Sequence, residues 1–125
     1  MKTILLVDDD PDVRDVLVAL LAEPGYEVVP AMDGYEALRI LDDRPIDVLI
    51  TDVKMPGITG FELARQAKLK RPNLPIMYMS GNEDATRDAH GPAYGRVLRK
   101  PFRAIDLLVE VTRALRLTPP DPTPC

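Results

Sequence analysis

In the stretch Ile46-Asp47-Val48-Leu49-Ile50-Thr51-Asp52-Val53-Lys54-Met55-Pro56-Gly57, an apolar run of strand length, Val48-Leu49-Ile50, leads to a carboxylate, Asp52. Met55-Pro56-Gly57 then breaks the chain with turn residues. A strand buried on both faces reads as a continuous apolar run, and open α/β sheets place their ligands at the C-terminal ends of such strands. By itself Asp52 would be a loop carboxylate or a helix cap. Its meaning comes from matching strand ends elsewhere in the chain.

Upstream, Ile4-Leu5-Leu6-Val7 is a second continuous apolar run, and it too ends in carboxylates, Asp8-Asp9-Asp10. Pro11 follows at the first position of a helix with Asp10 as its N-cap. Val13, Val16, Leu17, Leu20 and Leu21 then fall at the spacing of an amphipathic stripe, which Pro24-Gly25 stops. A short strand spans Tyr26 to Ala31. Asp33-Gly34-Tyr35-Glu36 opens a helix as a capping box, and Pro45 forces that helix to end before it.

Downstream of the Pro56-Gly57 turn, Thr59-Gly60-Phe61-Glu62 is another capping box, opening a helix through about Lys70. Leu74 to Met79 is a fourth strand, ending in Ser80-Gly81-Asn82, and a polar helix is expected from Glu83 to His90, ended by Gly91-Pro92. Arg96 to Arg99 is a short fifth strand ending in Lys100-Pro101. The last helix runs from Phe102 to about Leu117, with Ile105, Leu108, Val109, Thr112 and Leu115 as its apolar stripe. Thr118 to Cys125 holds four prolines in eight residues, the composition of a tail or linker. The domain expected is therefore residues 1–117, with 118–125 appended to it.

Five strands alternating with five helices imply a parallel sheet with helices on both faces. Right-handed crossovers leave few topologies, of which the flavodoxin-like doubly wound (βα)5 fold with strand order 2-1-3-4-5 fits best. In that order strands 1 and 3 are neighbours. Asp8 and Asp9, Asp52, Ser80 and Lys100 then gather at one end of the sheet.

Composition narrows the function. A chain of 125 residues makes one domain with a single core region, and 46% hydrophobic with 29% charged residues is ordinary for a soluble globular protein. A net charge of -4 argues against direct nucleic-acid binding, which needs a basic face. One cysteine excludes a disulfide framework or a cysteine-rich metal site. Met1-Lys2-Thr3 leads into only four apolar residues before three aspartates, so no signal-peptide core is expected; nor is any apolar run of membrane-spanning length. The default location is the cytoplasm, with no membrane partner.

Charge counting defines what the gathered residues need. Three carboxylates and one lysine leave -2 in one crevice, and carboxylates that close disfavour one another's ionised forms unless a cation intervenes. Oxygen-only ligands suit a hard cation, Mg2+ or alternatively Mn2+, and not zinc. Such a cation, held by few carboxylates and several waters, awaits a phosphoryl group. Lys100 and the Ser80 hydroxyl can each bind a phosphoryl oxygen. Ser80-Gly81-Asn82-Glu83 also matches a capping box, so Ser80 alone serves equally as cap or site. The combination is a phosphoryl-transfer site in which a carboxylate can be the nucleophile.

The motifs Leu6-Val7-Asp8-Asp9-Asp10-Pro11, Thr51-Asp52-Val53-Lys54-Met55-Pro56-Gly57-Ile58-Thr59-Gly60, Met79-Ser80-Gly81 and Lys100-Pro101-Phe102 together resemble the receiver domain of bacterial two-component response regulators, the CheY-like family. The resemblance covers about residues 3–117. It implies a signalling phosphoacceptor rather than an enzyme, with Asp52 taking phosphate from a sensor histidine kinase or histidine phosphotransfer protein and switching a downstream effector or fused domain. It further implies Asp9 and Asp52 as direct metal ligands, Asp8 through water, and the Lys54 backbone carbonyl completing the set. Ser80 and Lys100 would bind phosphoryl oxygens, and Lys100-Pro101 would be a cis peptide. Where the family usually has an aromatic residue three before the lysine, this chain has Val97.

Two rivals follow from the same residues. Asp8-Asp9-Asp10-Pro11-Asp12 loosely resembles the Asp-x-Asp signature of haloacid-dehalogenase-type phosphatases, with Asp8 as nucleophile. The other is a phosphorylation-independent interaction module of receiver form, against which the complete acidic set and Lys100 argue.

Overall fold

A computed structural model of the chain describes residues 1–81 and 94–117. The polar helix expected at Glu83–His90, its Gly91-Pro92 terminator and the 118–125 tail lie outside these residues. Among the described residues the elements are β1 (Thr3–Val7), α1 (Pro11–Ala22), β2 (Glu27–Ala31), α2 (Gly34–Asp43), β3 (Val48–Asp52), α3 (Gly60–Lys70), β4 (Ile76–Ser80), β5 (Gly95–Arg99) and α4 (Ala104–Leu117). The five strands form one sheet in the order β2-β1-β3-β4-β5. Every pair is parallel. This is the flavodoxin-like receiver fold expected above.

The continuous apolar strands have a direct physical use. Side chains alternate across a sheet, so a run with no polar member feeds two cores at once. Leu5, Val7 and Leu49 join Leu41, Phe61, Leu63 and Ala67 on the face covered by α2 and α3. Ile4, Leu6, Val48 and Ile50 join Leu17, Leu21, Leu107 and Val111 on the face covered by α1 and α4. Each fully buried Leu or Ile contributes about 1.5–3 kcal/mol relative to exposure. The central strands β3 and β4 are buried throughout, whereas the edge strands β2 and β5 are only partly covered. Pro30 falls in edge strand β2, where a missing N–H costs little.

Helix starts follow their capping chemistry. Asp10 accepts from the amides of Asp12 and Val13 with Pro11 in the first turn, Asp33 accepts from Glu36 N, and Thr59 accepts from Glu62 N. The Glu36 carboxylate returns to Met32 N at 3.0 Å, one residue before the cap. At the end of α1, Gly25 takes φ 107°, a left-handed conformation suited to glycine.

Some expectations need correction. α4 begins at Ala104 rather than Phe102, with Arg103 N donating to Asp106 Oδ2 at 3.1 Å. Leu107 and Val111 are fully buried in the core, and Leu108 and Leu115 of the expected stripe pack against it partly buried, while Ile105 and Val109 of that stripe are 55% and 50% exposed. Apolar residues occupy most of that helix's circumference, so spacing alone left its rotation open. Val16 of the α1 stripe is likewise exposed. β4 starts at Ile76 because Leu74 N turns back to Arg71 O and Pro75 has no N–H to give.

Candidate phosphoacceptor site

The register of β1 with β3 pairs Val7 with Thr51, so the chain leaves both strands at the same level and presents Asp8 beside Asp52. β4 joins β3 with Asp52 opposite Met79, one residue before Ser80. β5 joins β4 with Ser80 opposite Arg99, one residue before Lys100. Each predicted side chain thus sits at or just beyond a strand's C-terminal end. The backbone then locks the last two together: Lys100 N donates to Ser80 O at 2.8 Å. The Lys100–Pro101 peptide is cis.

Asp8, Asp9 and Asp52 each offer a carboxylate oxygen, and these oxygens lie within 4.8 Å of one another. Asp8 is fully buried and Asp52 nearly so, whereas Asp9 is exposed. Lys100 Nζ stands 3.5 Å from Asp8 Oδ2 and 3.4 Å from Asp52 Oδ2. One Asp8 oxygen, Oδ1, accepts from Asp10 N at 2.9 Å. The other, Oδ2, is buried with no hydrogen-bond partner, its ammonium neighbour being within ion-pair reach only. Burial pushes the Asp52 carboxyl up to about 6; Lys100 opposes this, and the charges of Asp8 and Asp9 add to it. Ser80 is buried at the end of β4, and Lys54 is exposed two residues past Asp52.

Three supporting residues were not singled out from the sequence. Arg14 Nη1 donates to Asp8 O at 2.7 Å, tying α1 to the end of β1. Thr51 Oγ1 donates to Asp52 O at 2.9 Å. As the one hydroxyl in the strand between Ile50 and Asp52, Thr51 carried a legible signal. Gly60 stood in the quoted motif without a stated reason, because that reason is spatial: a Cβ there would collide with Asp52 O.

The site fits a hard divalent cation. Its donors are all oxygen, three carboxylates share a space with one ammonium, and a buried carboxylate oxygen lacks a hydrogen bond.

Comparison with known proteins agrees with this architecture. The response regulator receiver domain family matches residues 4–112. The response regulator receiver protein CpdR of Brucella abortus (strain 2308) is 40% identical over 123 residues, covering 92% of this chain and 98% of that protein. The response regulator MprA of Mycobacterium sp. (strain KMS) is 37% identical, covering 97% of this chain and 54% of its own length. The present chain therefore spans about half of MprA and nearly all of CpdR. Among solved structures, the response regulator protein TrrA from Thermotoga maritima, in complex with Mg2+-BeF, superposes with a TM-score of 0.86 at 34% identity, covering 92% of this chain and 100% of that one. The chain belongs to the response regulator receiver domain family. It is a two-component signalling domain, which decides its class against the phosphatase alternative. Among the described residues no helix is long and apolar enough to cross a membrane.

Proposed function

We propose that Asp52 accepts a phosphoryl group from the phosphohistidine of a sensor histidine kinase or a histidine phosphotransfer protein, in a reaction that requires Mg2+. The single observation that carries this reading is the placement of Lys100 Nζ against both Asp8 and Asp52 inside a three-carboxylate cluster. That arrangement balances neither the charge nor the Asp8 Oδ2 hydrogen bond until a cation and a phosphoryl group arrive. The Mg2+-BeF complex of TrrA supports the same cation here, and Mn2+ is a chemically suitable substitute.

Asp9 and Asp52 would hold the cation directly, Asp8 through water, and the Lys54 backbone carbonyl would complete the protein ligands. Bound there, the cation neutralises charge on the phosphoryl oxygens and the carboxylates. In the transfer, an Asp52 carboxylate oxygen forms the new bond to phosphorus while the phosphorus–nitrogen bond to the donor imidazole breaks. The departing electron pair stays on that nitrogen, which takes up a proton. Lys100 pairs with one phosphoryl oxygen and the Ser80 hydroxyl donates to another, so the modified state makes contacts the unmodified one lacks. That difference biases the fold toward a form read by a downstream effector or a fused domain. Residues 1–117 are the phosphoacceptor unit and 118–125 a proline-rich tail or linker.

A small-molecule phosphodonor tests this. Wild type should acquire acid-labile phosphate in Mg2+ and lose that ability in EDTA, with the modified peptide containing Asp52. Asp52→Asn modified to the wild-type extent would overturn the assignment.

A further inference from the structure

The loop between β3 and α3, residues 53–59, and the first turn of α2 are fitted together through two glycines. A Cβ on Gly34 would collide with Ile58 Cγ1 and Cδ1, and a Cβ on Gly57 would come within 2.8 Å of Tyr35 Cε2. Each segment therefore contributes one glycine and one side chain. Ile58 enters the space left by Gly34, and the Tyr35 ring lies against the backbone at Gly57. Gly57 has φ 83°, a conformation that L side chains rarely adopt, so position 57 requires glycine for its backbone as well as for the ring. Tyr35 is 56% exposed. Its ring covers loop backbone and fills no core.

Both partners are stiff where they meet. The turn bearing Tyr35 is fixed by Glu36 N donating to Asp33 Oδ1 at 2.8 Å and Met32 N donating to Glu36 Oε1 at 3.0 Å. The loop is anchored at its ends, with Val53 N donating to Met79 O at 3.0 Å and Gly60 N donating to Val53 O at 2.8 Å. Between those anchors Lys54 is exposed and Met55 is buried. The middle of the loop is held by the buried Met55, whose sulfur accepts from Thr51 Oγ1 at 3.9 Å, and, after it, by the Tyr35–Gly57 and Ile58–Gly34 contacts.

We propose that this reciprocal clasp positions the 54–57 backbone, and that Tyr35 thereby tunes the affinity of the acidic site for a divalent cation without supplying a ligand. The inference rests on the proposed role of the Lys54 carbonyl. A backbone carbonyl has no rotamers and can be aimed only by placing its loop. A loop ordered before the cation arrives gives up less conformational freedom on binding, which raises affinity. Groups that orient a ligand are commonly worth about tenfold or more in metal affinity.

The test is a Mg2+ titration of the intact chain followed by amide NMR, with hydrogen exchange measured in the metal-free protein. Tyr35→Ala should weaken Mg2+ binding about tenfold and speed exchange of the loop amides Lys54, Met55 and Gly57, while amides of β1 keep their protection. Tyr35→Phe retains the ring and should restore both the affinity and the slow exchange. Tyr35→Ala binding Mg2+ within about twofold of wild type, loop exchange that does not change, or Tyr35→Phe behaving like Tyr35→Ala would each overturn the clasp. Asp9→Asn separates the two levels. If wild type binds no Mg2+, or Asp9→Asn binds it equally well, the site reading fails and the clasp's role falls with it. If Asp9→Asn loses binding and Tyr35→Ala does not, the clasp alone is wrong.

Discussion

At Asp52, burial opposes ionisation and Lys100 favours it, with Asp8 and Asp9 adding to the burial. The balance leaves the carboxyl at about 6, above its ordinary 3.8. Between those two values the folded state keeps a proton that the unfolded chain has released. Stability therefore falls as pH rises from 3.8 to about 6, and above that window the loss is complete. Its size is on the order of 2–3 kcal/mol. Metal-free Asp52→Asn should accordingly be more stable than wild type at neutral pH and gain little below the window, as urea denaturation at both pH values would show. A variant no more stable than wild type at neutral pH would mean that Lys100 fully offsets the burial of the charge.

At the scale of elements, the caps and the strands were legible because each rests on a local rule. Asp10, Asp33 and Thr59 cap the helices they were assigned to, since an N-cap needs only a short acceptor side chain before the first turn. The rotation of α4 was not legible. Its sequence offers apolar residues at 105, 107, 108, 109, 111 and 115, and only packing against the sheet buries Leu107 and Val111 fully, keeps Leu108 and Leu115 partly buried beside them, and leaves Ile105 and Val109 exposed. Leu107→Ala should cost about 2–5 kcal/mol through the lost contacts and the cavity left behind. Val109→Ala should stay near 0.5 kcal/mol, the ~0.5 kcal/mol scale of surface changes. Equal losses in chemical denaturation would show that the helix faces the sheet as the spacing first suggested.

At the scale of the whole molecule, the acidic site belongs to no single segment. Asp8 and Asp9 follow β1 and Asp52 ends β3, so any ligand that binds all three links strands far apart in sequence. A cation that binds only the folded chain then stabilises it globally, by about 2.7 kcal/mol at a hundredfold excess over its Kd. Thermal denaturation should show Mg2+ raising the midpoint of wild type above pH 6 and doing so progressively less as protons compete at Asp52. Asp9→Asn should show little of the effect. An equal Mg2+ shift in that variant would place the cation elsewhere.

The sequence by itself determined the order of the elements among the described residues, the parallel sheet and its strand order, because continuous apolar runs, caps and turn residues act over a few positions and right-handed crossovers leave few ways to connect them. It also marked every strand end that carries a polar group, since a carboxylate, a hydroxyl or an ammonium closing an apolar run stands out along the chain. The tertiary structure alone decided distances and fits. It set Lys100 Nζ 3.4 Å from Asp52 Oδ2, left Asp8 Oδ2 without a hydrogen bond, required glycine at position 60 beneath the Asp52 carbonyl, and joined Tyr35 at the start of α2 to Gly57 in the loop after β3. Such contacts join residues from different strands and loops, and their energies depend on separation and burial that no local pattern encodes.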